Sequence, residues 1–269
     1  MISFPNSKIN LGLYVHAKRD DGYHDLETIF FPIPFTDILE FVSSDSLKLS
    51  ITGIPVVGDS SGNLCLKAYH LLKQLHLELA PIHIHLHKVI PLGAGLGGGS
   101  ADGAFMLSML NNFYELGHST DELMKFALQL GSDCPFFIIN KPCHALGRGE
   151  ILEPLPILLS GWWFAIIYPG IHVSTAEAFE NIRPGQNSID LKNKISEPVE
   201  CWKEWLRNDF EPGVIQRYPI IGQIKEQLYN AGAEFASMSG SGSAIYALFR
   251  QKPTLNFPEE FLVRTLELK

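Results

Sequence analysis

Residues 91–110, PLGAGLGGGSADGAFMLSML, most restrict what this chain can build. Glycine stands at 93, 95, 97, 98 and 99, where each removes a side chain that could block approach to the backbone and each tolerates positive φ. The following SADGAFMLSML has helical spacing, so the loop opens onto a helix N-terminus. Unpaired N–H groups and the helix dipole favour an anion there, and the pattern reads as a phosphate loop rather than a plain turn.

Two familiar loop patterns fit and then fail. The run matches G-x-x-x-x-G-K-[ST] except that Gly99 replaces the lysine, and WFAIIYPG ends in Pro169 and Gly170 rather than in a magnesium-binding aspartate. GAGLGG also satisfies G-x-G-x-x-G, but NNFYELGH leads into another capped helix instead of a strand ending in an acidic residue. The cation facing a transferred phosphoryl group must therefore come from elsewhere in the chain.

That requirement is sharpened by composition. The 269 residues carry a formal net charge of −8, with 46% hydrophobic and 19% charged residues. This fits one large domain or two ordinary ones with a sizeable core, and argues against nucleic acid or an anionic membrane as partner. Cys65, Cys134, Cys143 and Cys201 form no C-x-x-C pair and read as reduced thiols. The start MISFPNSKINLGL lacks a basic region followed by a long apolar core, and the strongest apolar run, WWFAIIY, stops at Pro169. A soluble, cytoplasmic protein is expected.

INLGLYVH, ILEFV, LKLSIT and IHIHLHKVI read as strands, and NLCLKAYHLLKQL as an amphipathic helix. STDELMKFALQLG opens with a capping box, Ser119 to Glu122, and ends at Gly131. Past a boundary near EPLPILLSG come strand WWFAIIY, helix TAEAFENI, a polar stretch from Arg183, helix IIGQIKEQLYNAG, and strands AEFASM, SAIYALF and FLVRTLEL. This mixture predicts an α+β protein.

Three stretches stand in a telling order: PNSKIN, PLGAGLGGGSA and MSGSGSA. With KINLGLYVHAKRDDGYHDLETIF, LGSDCPFF and VSTAEAF, they make the chain resemble the GHMP small-molecule kinases over nearly its whole length. The resemblance implies a lobe over residues 1–153 similar to the second domain of ribosomal protein S5 and a ferredoxin-like lobe over 154–269, with ATP and substrate between them. The motifs are most similar to the subgroup that uses ATP and Mg²⁺ to phosphorylate the 2-hydroxyl of a cytidine-diphosphate-linked methylerythritol in non-mevalonate isoprenoid biosynthesis. A homoserine or mevalonate kinase, or a silent binder with this fold, is the alternative. A monomer or homodimer is expected, with no dedicated protein metal site.

By that resemblance Lys8 and Asp133 are the catalytic pair. Pro91, Gly93, Ala94, Gly95, Leu96, Gly97, Gly98, Gly99, Ser100 and Ala101 hold the nucleotide phosphates, and Asn63, Leu64 and Lys88 lie on the nucleotide side. Asn10, Tyr23, His24, Thr175 and Phe179 face the cytidyl substrate. Taken from the residues alone, Lys8 reads as a surface lysine, Asp133 as a cap ahead of Pro135, Lys88 as a strand-end lysine and Phe179 as helix core. The Gly/Ser cluster SMSGSGS, residues 237–243, with the hydroxyls of Ser237, Ser239, Ser241 and Ser243, is equally a hairpin or a site, and Arg148 is a candidate cation without an assigned role. Ser7 and Gly103 depart from the family's usual alanines, and Asp102 stands where asparagine or aspartate is found.

His83, His85 and His87 alternate along one strand face, a spacing that does not converge easily on one metal ion. The pair Trp162 and Trp163 reads as strand packing.

Overall fold

The computed structural model describes residues 1–56, 60–180, 182 and 189–269. The first six residues of the expected polar stretch, 183–188, therefore lie outside the described part, and its later residues include a short helix at Leu191–Lys194. The chain forms two compact units interleaved in sequence. Unit 1 holds residues 1–8, 32–92 and 97–141, and unit 2 holds residues 9–31, 93–96 and 142–269. The expected cut near residue 153 falls within unit 2.

Unit 1 contains a four-stranded sheet ordered β1-β4-β6-β5, from β1 (Ile2–Ser3), β4 (Ile38–Ser43), β5 (Lys48–Gly53) and β6 (Ile82–Lys88). β4 runs antiparallel to β6, with Ile38 opposite His87, and β5 runs parallel to it, with Lys48 opposite His83. In β6 the alternation is clean: Ile82, Ile84, Leu86 and Lys88 are buried, while the three histidines face outward. The ring nitrogens of His83 and His87 meet Ser50 and Thr52, and His85 meets Thr52 and Glu40.

The helices of unit 1 are α1 (Leu64–Leu75), α2 (Gly98–Phe113), α3 (Thr120–Leu130) and α4 (Cys134–Ile139), packed on one another. Helix α3 has the expected capping box, with Ser119 accepting from the Glu122 N–H and Glu122 accepting from the Ser119 N–H. Gly103 has a packing reason: an added Cβ would lie 2.8 Å from Leu64 Cβ, so glycine lets α1 and α2 approach. The cost of glycine in a helix is about 1 kcal/mol, less than the strain a methyl group would impose on that contact.

Unit 2 contains two four-stranded sheets. One is ordered β10-β11-β9-β12, from β9 (Trp163–Tyr168), β10 (Phe235–Met238), β11 (Ile245–Phe249) and β12 (Leu262–Glu267). All its pairs are antiparallel. The other is ordered β2-β3-β7-β8, from β2 (Asn6–Lys18), β3 (His24–Thr36), β7 (Cys143–Gly147) and β8 (Ile151–Pro154). The ends of β2 and β3 continue into unit 1 along the chain.

The described helices of unit 2 are α5 (Thr175–Glu180), α6 (Leu191–Lys194), α7 (Trp202–Trp205), α8 (Glu211–Arg217) and α9 (Pro219–Asn230). Helix α9 buries Ile221, Ile224 and Leu228, spaced three and four apart, in a core with Ala165, Ile167, Met238, Ile245 and Ala247. Removing one such leucine typically costs 2–5 kcal/mol, so this stripe anchors the unit. Among the described residues, no helix is long and apolar enough to cross a membrane.

Candidate active site

Within unit 1, β2 begins with Asn6, Ser7 and Lys8, all buried. The Lys8 ammonium lies 3.4 Å from Asp133 Oδ2, and the side chains are 4% and 31% exposed. Asp133 occupies the N-cap position of α4, yet its carboxylate makes no capping hydrogen bond. It therefore presents an oxygen to solvent with a buried cation behind it, an arrangement that can accept a proton. The adjacent Ser7 hydroxyl is fully buried and has no hydrogen-bond partner among the described residues.

Gly97 caps α2 in the left-handed conformation, at φ 71°, and no side chain caps the helix. A Cβ on Gly97 would lie 2.9 Å from the Phe137 ring and 3.0 Å from Lys8 Cγ, so glycine there brings the loop against the catalytic candidate. Gly98 has a similar reason, since its Cβ would lie 2.8 Å from Ile90 Cγ2. Gly99 has none: the nearest atom to a Cβ is Leu92 Cδ2 at 3.8 Å. The protein's own packing leaves room for a side chain at the position where a phosphate loop of the other lineage carries lysine. Ser100 lies in the first turn of α2, and burial pushes the nearby Cys134 thiol up to about 12.

Lys88 is not the surface strand-end lysine that its place in the sequence suggests. Its side chain is 1% exposed, and the ammonium pairs with Asp37 and with Asp102 at 2.7 Å. Asp37 also accepts the Val89 and Ile90 N–H groups, so the triad fixes the chain leading into the loop. Burial disfavours the Lys88 ammonium, but the coulombic pull of Asp102 and Asp37 outweighs it and raises the Lys88 pKa. Burial, opposed by Lys88 and reinforced by Asp37, pushes Asp102 up to about 7. Asn63 is the N-cap of α1, accepting the Cys65 N–H, with Leu64 the first helical residue.

Within unit 2, residues 93–96 rest on the C-terminal Gly/Ser hairpin. The Ser239 hydroxyl donates to the Gly95 carbonyl at 2.8 Å and receives the Asn10 N–H, while Ala244 N–H donates to the Ala94 carbonyl. Gly95 has φ 76°, and a Cβ there would overlap the Ser239 carbonyl oxygen. Gly93 lies against the His172 ring, which a Cβ would also overlap. The Asn208 amide donates to the Met238 and Gly240 carbonyls, and Glu211 accepts from Met238 N–H and Ser237. The hairpin is thus a bed for the first half of the loop, a role that the residues alone left undecided. Ser239, His172, Asn208 and Glu211 were not singled out for this from the sequence, because only the fold brings them to the loop.

The Asn10 amide donates to Thr28 Oγ1, and the Thr28 hydroxyl donates to the Gly12 carbonyl. His24 and Phe179 stack with ring centroids 4.5 Å apart and an interplanar angle of 17°. Tyr23, 55% exposed, lies under the Arg148 guanidinium, 4.8 Å from its ring centroid. Thr175 begins α5 and is exposed, and the helix start is capped by the Ser174 hydroxyl rather than by Thr175. Glu27, half-buried, accepts from His16 and His144 on the neighbouring strands. Burial works against its charge, but His144 and His16 prevail and lower its pKa.

Residues 63–141 match the family model described as "GHMP kinases N terminal domain", and residues 194–259 match "GHMP kinases C terminal". A 4-diphosphocytidyl-2-C-methyl-D-erythritol kinase from Bacteroides thetaiotaomicron is 50% identical over 260 residues, covering 95% of this chain and 94% of that protein. The chain belongs to the GHMP kinases. A crystal structure of 4-(cytidine 5'-diphospho)-2C-methyl-D-erythritol kinase superposes on this GHMP kinase with TM-score 0.76 at 33% identity, covering 92% of this chain and 90% of that one. The Methanococcus jannaschii mevalonate kinase shares the fold alone, at TM-score 0.67 and 17% identity over 100% of this chain and 98% of that one. This GHMP kinase is an ATP-dependent small-molecule kinase, and its mixed α and β fold is that of the family.

Proposed function

We propose that the chain transfers the γ-phosphoryl group of ATP to the 2-hydroxyl of 4-diphosphocytidyl-2-C-methyl-D-erythritol, giving the 2-phosphate and ADP, in non-mevalonate isoprenoid precursor synthesis in the cytoplasm. Full-length relatives of that name support the substrate. The observation that carries the chemistry is the Lys8–Asp133 pair, whose carboxylate is spared from capping. Asp133 accepts the proton from the attacking hydroxyl, making it a better nucleophile as the bond to phosphorus forms. Lys8 holds that carboxylate in place and faces charge developing on the transferred group.

The glycine-lined start of α2 fits the nucleotide phosphates, since its N–H groups have no side-chain cap and Gly99 leaves the backbone open. Pro91 and residues 93–101 form this cradle, with Asn63 and Leu64 on the nucleoside side. Lys88 acts through the loop that its triad positions. Asn10, Tyr23, His24, Thr175 and Phe179 bind the cytidyl substrate, with aromatic faces for the pyrimidine. Magnesium, when bound, neutralises phosphate charge; the Ser100 hydroxyl is an oxygen donor of the kind it takes, shared with phosphate oxygens. The enzyme acts as a monomer or homodimer.

The test is ADP release with ATP, Mg²⁺ and a panel of acceptors: the cytidyl alcohol, homoserine and mevalonate. Turnover on the cytidyl alcohol alone supports the proposal. Turnover on homoserine or mevalonate without it overturns the substrate, and nucleotide binding without any turnover points to a silent binder.

A further inference from the structure

Arg148 is a cation that the mechanism above leaves unused. It lies between β7 and β8, and its guanidinium sits over the Tyr23 ring, 4.8 Å from the centroid. Among the described residues its guanidinium holds no hydrogen bond, and its ion pair with Glu150 is long, at 3.6 Å. The Glu150 carboxylate is already engaged by the Arg148 backbone N–H at 2.6 Å, which pins the turn without using the guanidinium. A guanidinium carries five N–H donors in a planar fork that suits phosphate oxygens.

The electrostatic setting makes this cation matter. The hairpin tip that carries Tyr23 and His24 reads Lys18-Arg19-Asp20-Asp21-Gly22-Tyr23-His24-Asp25. Arg19 is already bound to Asp21 and Asp25. A dianionic diphosphate arriving beside Tyr23 would meet those carboxylates in a protein of net charge −8. Arg148 is the cation beside that ring whose donors remain available, and stacking on tyrosine holds the guanidinium plane without consuming its edge.

We propose that Arg148 is the anion-recognising residue for the diphosphate of the cytidyl substrate, with Tyr23 as the platform that orients it. The inference rests on the proposed substrate. It makes Arg148 a specificity residue: it should discriminate a cytidine diphosphate from cytidine without taking part in phosphoryl transfer.

The experiment is calorimetric binding of CDP and of cytidine to the full chain and to Arg148→Gln and Arg148→Lys, with steady-state kinetics alongside. Arg148→Gln should weaken CDP about tenfold or more and cytidine less than about threefold, as expected for loss of a charge-assisted contact. Arg148→Lys should recover part of the CDP affinity. KM for the cytidyl alcohol should rise with CDP, while kcat and KM for ATP change little. Equal losses for CDP and cytidine, or no loss for either, overturn the assignment. Failure of the unsubstituted protein to bind either ligand overturns instead the substrate reading beneath it.

Discussion

Gly95 and Gly99 stand four residues apart in one loop, and the structure assigns them opposite reasons for being glycine. At Gly95, with φ 76°, alanine pays about 1–2 kcal/mol for the left-handed backbone. Its Cβ would also overlap the Ser239 carbonyl oxygen and lie 2.8 Å from Ser239 C, so backbone must move, at a further 1–3 kcal/mol or so. Gly95→Ala should therefore lose about 3 kcal/mol of stability. At Gly99, in the first turn of α2, the nearest atom to a Cβ is 3.8 Å away. Gly99→Ala should leave stability unchanged or raise it by up to about 1 kcal/mol through helix propensity.

The same methyl at Gly99 would occupy space proposed for nucleotide phosphate, so its effect belongs in ATP binding. Urea denaturation of both variants, together with KM for ATP, separates the two roles. Gly99→Ala should raise KM for ATP about tenfold or more while folding normally. An unchanged KM in a stable Gly99→Ala variant would refute the idea that glycine there serves the ligand, and a fully stable Gly95→Ala would refute the hairpin as the loop's bed.

Two further outcomes concern buried polar groups near the site. Ser7→Ala removes a hydroxyl that is buried without a partner among the described residues, and should raise stability by about 1 kcal/mol in urea denaturation; a loss of that size would show that the hydroxyl has a partner. Asp102, pushed up to about 7 from an ordinary carboxylate value, binds its proton more tightly folded than unfolded. Its contribution therefore falls as pH rises from about 4 through 7. Relative to Asp102→Asn, the unsubstituted protein should lose about 2–3 kcal/mol between pH 5 and pH 8, and parallel stability profiles would contradict the triad electrostatics.

Much of the architecture was legible because local rules agree with the final packing. Ser119 and Glu122 write the start of α3, and the alternation of Ile82, Ile84 and Leu86 with histidines writes β6. Strand β3 was harder, because Pro32 and Pro34 interrupt a run that the sheet nevertheless accommodates. Helix α4 is only six residues long, too short for a periodic signal, though it places Asp133. Motif resemblance carried Lys8 and Asp133, which residue chemistry alone would have left on the surface and at a cap. Lys88 looked like a cation beside the loop; its partner Asp37 lies fifty-one positions away in sequence, and that pairing exists only once the sheet has formed.

In the proposed mechanism Asp133 receives the proton while Lys8 holds it in place. Asp133→Asn keeps the shape of the side chain and removes its basicity, so single-turnover phosphoryl transfer to the cytidyl alcohol should fall by roughly 10²–10⁴-fold, the usual worth of a general base. Calorimetric ATP binding to the same variant should remain within about threefold of the unsubstituted protein. Transfer at an undiminished rate, with ATP bound normally, would contradict the mechanism outright.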